Sequence, residues 1–328
     1  LPAALRGHIM EPLRDIAHLG HVELLTPKPS ESEWFFCEVL GMAKVHGEGQ
    51  SVYLRGYGDY AATTLKLTES AAAGLGHVAW RTLSPEALDR RATAIEAAGL
   101  GLGWSNGDFG HGMCYRFGDP DGHEMEIYYD EQRYEAPEGL RSALRNQPMR
   151  TPNHGVGVRR SDHLAILCRD VGANREFAQA MLGLQLREQV IYDNGATEIG
   201  AWMSSSATHH EVAYVTDVKG LRGRLHHFSL WVDSQSDVLR AADLYMEHGI
   251  QIEAGPSRHN NSQGFYLYAF EPGGNRVEVY TSGFFVFAPD FEPVVWNEET
   301  RGDGVYWGES LPESFLNYAT PNETDNDS

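Results

Sequence analysis

The chain contains 15 histidines, and three side chains in its second half stand out by type and setting. His163 in SDHLAIL, His227 in LHHFSLW and Glu278 in NRVEVYT each fall in a separate β-rich run. Two neutral imidazoles and one carboxylate form a facial triad, the donor set that holds non-haem Fe(II) and leaves positions open for other ligands. Strand alternation supports a shared direction. Val277 and Val279 point one way and Glu278 the other, while Leu164 and Ile166 oppose His163. In LHHFSLWV, Phe228, Leu230 and Val232 define an apolar face that includes His226, so His227 is expected on the polar side with Ser229 and Trp231. A single strand histidine is more often a satisfied structural group. Three residues with one orientation argue for a site.

The elements that must position these residues repeat. EWFFCEVLGMAK (33–44) resembles REFAQAMLGLQL (175–186), and DPDGHEMEIYY resembles EPGGNRVEVYT. His21, His77 and Glu126 precede His163, His227 and Glu278 by 142, 150 and 152 positions, so the first half carries a copy of the triad. Each half also repeats internally as a strand, a helix ending in glycine and further strands. Val238, Ala242 and Tyr245 recur at helical spacing before Gly249, and Glu271-Pro272-Gly273-Gly274 marks a turn between two strands. The pattern predicts an α+β fold of four βαβββ modules paired into two domains. The expected division is an N-terminal non-catalytic domain at 1–150, a C-terminal catalytic domain at 151–290 and an extension with an acidic tail at 291–328. The domains are joined near residues 136–155.

Composition narrows the partners. With 328 residues the chain is long enough for two cores. Its formal charge of −20 opposes phosphate backbones and anionic lipid, so neither nucleic acid nor membrane is expected to bind. No apolar run reaches the roughly 18 residues of a spanning helix, and the start LPAALRGHIMEP lacks a secretion-signal core. The expected compartment is the cytoplasm, in keeping with three widely spaced cysteines, Cys37, Cys114 and Cys168.

The segments RSDHL, LHHFSLW, SRHNNSQGFYLY and EPGGNRVEVY resemble those of the type I extradiol ring-cleaving dioxygenases of the vicinal oxygen chelate superfamily, in the catechol 2,3-dioxygenase group. The resemblance covers nearly the whole chain. It implies the vicinal oxygen chelate fold and Fe(II), with Mn(II) as the alternative, bound by His163, His227 and Glu278. It further implies His210 as the acid/base residue, His259 as a supporting histidine in the substrate site and Tyr268 as a hydrogen-bond donor beside the substrate. His209 is an equal base by type; the resemblance favours His210, because the family motif places its histidine directly before the acidic residue, here Glu211. Trp202 is expected to line the ring pocket, with a core position as the alternative. The implied reaction is cleavage of catechol or alkylcatechols by O₂ to 2-hydroxymuconic semialdehydes, in aromatic degradation, by a homotetramer. A homoprotocatechuate-type substrate is the alternative.

The duplication leaves two candidate centres, and residues beyond the triads discriminate between them. Stepping back from His210 and Tyr268 by the repeat distance reaches Ala62 and Arg116, so the first half lacks these groups. His21, His77 and Glu126 are therefore expected to be a relic or structural polar residues. His8, His18, His46, His111, His123, His154 and His248 belong to no constellation and are expected to be surface or structural. The end TPNETDNDS is expected to be disordered. Rival readings are another enzyme of the same fold and a metal-free aromatic-binding module.

Overall fold

The computed structural model describes residues 14–302 and 304–321. Its first eight strands are β1 (Ile16–Thr26), β2 (Ala43–Glu48), β3 (Ser51–Arg55), β4 (Leu65–Glu69), β5 (Gly74–Thr82), β6 (Gly101–Ser105), β7 (Cys114–Gly118) and β8 (Glu124–Tyr128). Helix α1 (Pro29–Trp34) follows β1 and α2 (Pro85–Ala97) follows β5. The second half repeats the plan with β9 (Arg160–Cys168), α3 (Val171–Phe177), β10 (Gln185–Tyr192), β11 (Thr197–Ser204), β12 (Val212–Thr216), β13 (Arg224–Trp231), α4 (Gln235–Glu247), β14 (Ile252–His259), β15 (Phe265–Phe270) and β16 (Arg276–Thr281). These are four βαβββ units, as the repeat predicts. The extension adds β17 (Val294–Trp296), α5 (Glu298–Arg301), β18 (Val305–Trp307) and α6 (Glu313–Asn317).

The same physical device ends the helical segment of every unit. Gly41, Gly99, Gly183 and Gly249 take φ of 76°, 73°, 70° and 67°, the left-handed conformation that releases the chain into the next strand. Ser84 and Ser234 cap the opposite ends of α2 and α4 by accepting from backbone N–H groups.

Two sheets result, ordered β2-β3-β4-β1-β5-β8-β7-β6 and β17-β10-β11-β12-β9-β13-β16-β15-β14-β18. In each, the units meet through an antiparallel pair, β1 with β5 and β9 with β13. Alternation divides each strand between two faces. Leu164, Ile166, Phe228, Leu230, Val277 and Val279 enter the hydrophobic core, while His163, His227 and Glu278 leave on the opposite face. Residues 136–155 contain one short turn of helix, Glu138–Leu140. Of the sequence features above, His8 and the terminal TPNETDNDS beyond Pro321 lie outside the described residues.

Candidate metal centre

His163, His227 and Glu278 are brought together by three neighbouring strands, β9, β13 and β16. The His163 and His227 Nε2 atoms are 3.4 Å apart, and Glu278 Oε2 lies 2.9 Å from the first and 3.7 Å from the second. All three side chains are buried. The 2.9 Å contact lacks the alignment of a hydrogen bond, and neither Glu278 oxygen has a hydrogen-bond partner among the described residues. A buried carboxylate left this way is costly unless a cation meets it.

The ring orientations are set from behind. His163 Nδ1 is 2.8 Å from Asp162 Oδ2, the carboxylate–histidine arrangement that leaves Nε2 facing a metal. Burial pushes the His163 pKa down, but Glu278 and Asp162 outweigh it and raise the value to about 9. For His227, burial prevails over the attraction of Glu278 and lowers the pKa to about 3. Glu278 is held well below the usual carboxylate range: the imidazoles around it, His163 foremost, overcome a burial penalty of opposite sign.

The predicted accessory residues surround this cluster. The His210 ring centroid is 3.9 Å from that of His163, whereas His209 turns toward Phe284 and Glu188. The two rings pair through their Nδ1 atoms at 2.7 Å. Burial and then the neighbouring His163 push the His210 pKa well below its ordinary value, so the ring is neutral. Glu211 does not face the site; it accepts from Leu19 N and from Ser205 N and Oγ, tying down the turn that carries His210. On the opposite wall, His259 Nε2 is 3.0 Å from the Tyr268 hydroxyl and 3.6 Å from Glu278 Oε1. The Gly304 carbonyl lies 3.2 Å from His259 Nδ1 and fixes the proton there, so Nε2 accepts from Tyr268. Burial raises the Tyr268 pKa well above normal, keeping the hydroxyl protonated.

These groups line a cavity with about 880 Å³ of empty space, partly continuous with solvent. Ala165, Leu167, Ala213 and Val215 give it an apolar wall, and Trp202 borders it rather than entering the core.

Two expectations need correction. His226 is not on the core face with Phe228: β13 bulges between Leu225 and His227 where it pairs with β9, and the extra residue, His226, swings to the cavity. A bulge breaks the period of two on which the alternation argument depends. His111 is not without a constellation either, because its Nε2 lies 3.3 Å from Glu126. It precedes His259 by 148 positions, a repeat match that the sequence already contained.

Other site residues were missed. Tyr280, two positions beyond Glu278 on the same strand face, stacks edge-on to His163 with ring centroids 5.0 Å apart; alternation was signal enough to find it. The extension supplies Leu311, Phe315 and Leu316 to the cavity. Phe315 packs against Tyr268, and its carbonyl lies 2.7 Å from His226 Nε2. Nothing local in residues 311–316 announces that role.

The model of the Glyoxalase/Bleomycin resistance protein/Dioxygenase superfamily matches residues 18–127 and 160–279. A metapyrocatechase of Geobacillus stearothermophilus is 43% identical over 317 residues, covering 96% of both chains. A manganese-dependent 2,3-dihydroxybiphenyl 1,2-dioxygenase of Geobacillus genomosp. 3 is 38% identical, covering 89% of this chain and 94% of its own. The solved structure of homoprotocatechuate 2,3-dioxygenase from Brevibacterium fuscum with 3,4-dihydroxyphenylacetate superposes with a TM-score of 0.83 at 27% identity, covering 95% and 96% of the two chains.

Proposed function

This chain belongs to the Glyoxalase/Bleomycin resistance protein/Dioxygenase superfamily, and we propose that it binds Fe(II) through His163, His227 and Glu278 to open catechol or an alkylcatechol beside its hydroxyl pair. It is an extradiol dioxygenase of the catechol 2,3-dioxygenase type. The product of the proposed reaction is a 2-hydroxymuconic semialdehyde with both atoms of O₂ incorporated. The observation that carries the reading is the convergence of two imidazoles and a donor-less buried carboxylate at the floor of an apolar cavity.

The donor set fits the ion: two imidazole nitrogens, with His163 giving up its proton on metal binding, and one carboxylate suit a divalent non-haem centre with open positions. Such an ion supplies Lewis acidity for the diol and the electron relay that a singlet ring needs to react with triplet O₂. The protein residues do the rest. His210, neutral in its buried position, accepts a proton from a diol whose phenol pKa starts near about 10, and returns it to an oxygen during cleavage. Tyr268 and His259 form a hydrogen-bonded pair on the far side of the site and orient the substrate oxygens. Trp202 bounds the ring face, and Phe315 restricts entry of water over the reacting end.

Adding catechol anaerobically to ferrous-loaded protein and then admitting air is expected to produce a yellow ring-opened product. Ligand binding without colour defeats the reading. The manganese-dependent relative supports Mn(II) as the alternative metal. Arg301 on the cavity lining supports a second substrate class, diols bearing a carboxylate on the side chain, such as homoprotocatechuate. A panel of methylcatechols against 3,4-dihydroxyphenylacetate separates the two. The enzyme is proposed to work as a cytoplasmic homotetramer in aromatic degradation. Among the described residues no helix is long and apolar enough to cross a membrane.

A further inference from the structure

Away from the cavity, a further group of ligand-type side chains among the described residues lies in the N-terminal sheet. His21 on β1, His77 on β5 and Glu126 on β8 are all buried. The two histidine Nε2 atoms are 2.9 Å apart, and each is 3.6 Å from Glu126 Oε1. His111, from the loop before β7, brings its Nε2 to 3.3 Å from the same oxygen. The other oxygen, Oε2, accepts from the Cys114 thiol at 3.1 Å.

The proton positions make this arrangement informative. His111 Nδ1 lies 3.0 Å from the Gly112 carbonyl, which can only accept, so the ring proton sits on Nδ1 and Nε2 presents a bare lone pair. That lone pair faces Glu126 Oε1, another acceptor. Both atoms are buried, and neither has a hydrogen-bond partner among the described residues. His77 is fixed in the same way, with Nδ1 2.8 Å from Glu23 Oε2 and Nε2 turned inward. A proton shared between His21 and His77 satisfies those two rings but leaves His111 and Oε1 repelling each other. A cation between the His21 and His77 Nε2 atoms and Oε1 meets the buried carboxylate and offsets that repulsion. Glu23 behind His77 is also the kind of carboxylate that orients a histidine ligand.

We propose that the N-terminal sheet binds its own divalent transition metal through His21, His77 and Glu126, with His111 beside the carboxylate as a supporting contact rather than a ligand. Two imidazoles and one carboxylate, with ligand atoms within 4.8 Å of one another, are the same donor set as at the C-terminal centre. The site is distinct from the ring-cleavage centre and ties β1, β5 and β8 together. It departs from the expectation of a relic because Glu126 Oε1 is buried without a hydrogen-bond partner among the described residues.

The test uses the full chain, stripped with a chelator and dialysed against Zn(II). A His163→Ala/Glu278→Ala protein, disabled at the C-terminal centre, is expected to retain one zinc per chain and to lose it when His77→Ala or Glu126→Ala is added. A zinc content near zero in the double variant overturns the proposal and shows a cluster satisfied by protons alone. Should that variant not fold, the otherwise intact chain decides. Its zinc content is expected to fall by one equivalent on His77→Ala, with ring cleavage by the iron-loaded protein retained. Unchanged stoichiometry overturns the proposal. Loss of the C-terminal equivalent in the double variant reports on the catalytic centre alone, so the two readings fail separately.

Discussion

The two sheets carry matching triads on matching strands, yet they fill the space beside those triads differently. The strand pairings show why. Glu23 and Lys66 face each other across β1 and β4, where Ala165 and Ala213 face each other across β9 and β12. In the first half the Lys66 ammonium lies 3.1 Å from Glu23 and 2.5 Å from Asp108, and the Tyr53 hydroxyl donates to Asp108 at 2.6 Å. Burial opposes ionisation of Glu23, but His77, Thr68 and Lys66 lower its pKa to about 2, so the network stays charged. In the second half two methyl groups take the place of that ion pair, and the room they leave forms part of the cavity wall. The two ligand sets are alike in type, and the side chains beside them are not. What distinguishes the halves is the volume and polarity of the chamber beside each set.

The largest effect is expected from removing the carboxylate at the second centre. Glu278→Ala should abolish ring cleavage and metal retention at that site, whereas Glu126→Ala in the iron-loaded protein should leave turnover intact; colour formation and metal analysis read both. Next, moving the first half's filling into the second should erase their difference. Ala165→Glu with Ala213→Lys is expected to eliminate catechol binding, checked by anaerobic titration, while leaving His163, His227 and Glu278 in place. A double variant that still binds catechol would show that the filling is not what closes the first half. Third, His210→Ala should reduce kcat by about 10²- to 10⁴-fold, the usual contribution of a general acid or base. Its metal content should be unchanged, and strand alignment places Thr63, one residue beyond the Ala62 reached by counting, two residues before β4 where His210 precedes β12, so the first half has no acid/base histidine there. Smallest is the effect at Phe315, which α6 places against Tyr268. Aromatic pairs contribute about 0.5–1.5 kcal/mol, so Phe315→Ala should raise KM roughly two- to tenfold with a smaller change in kcat.

Much of the site was legible because its information is local. A period of two sends Glu278 away from Val277 and Val279 in any register that buries the valines, and the duplication supplied an internal check on each triad position. The glycines that end the helical segments, such as Gly249, were readable for the same reason: a left-handed residue is a property of a few neighbouring bonds. His226 escaped because a bulge is decided by pairing with the neighbouring strand. His111 escaped because loop residues carry no period, although its distance from His259 matched the repeat.

The residues alone thus determined the four-unit plan, the two triads and the direction in which their side chains leave the strands. Folding decided how each chamber is filled, because that depends on which side chains meet across strand pairs, Glu23 with Lys66 or Ala165 with Ala213. Folding also brought Phe315 over Tyr268, with buried Arg276 donating to the carbonyls of His226, Ser314 and Tyr318 and so fastening α6 beside the cavity. Side-chain direction follows from backbone geometry within one strand. Empty volume and closure are set by contacts between segments far apart in the chain, which no local pattern encodes.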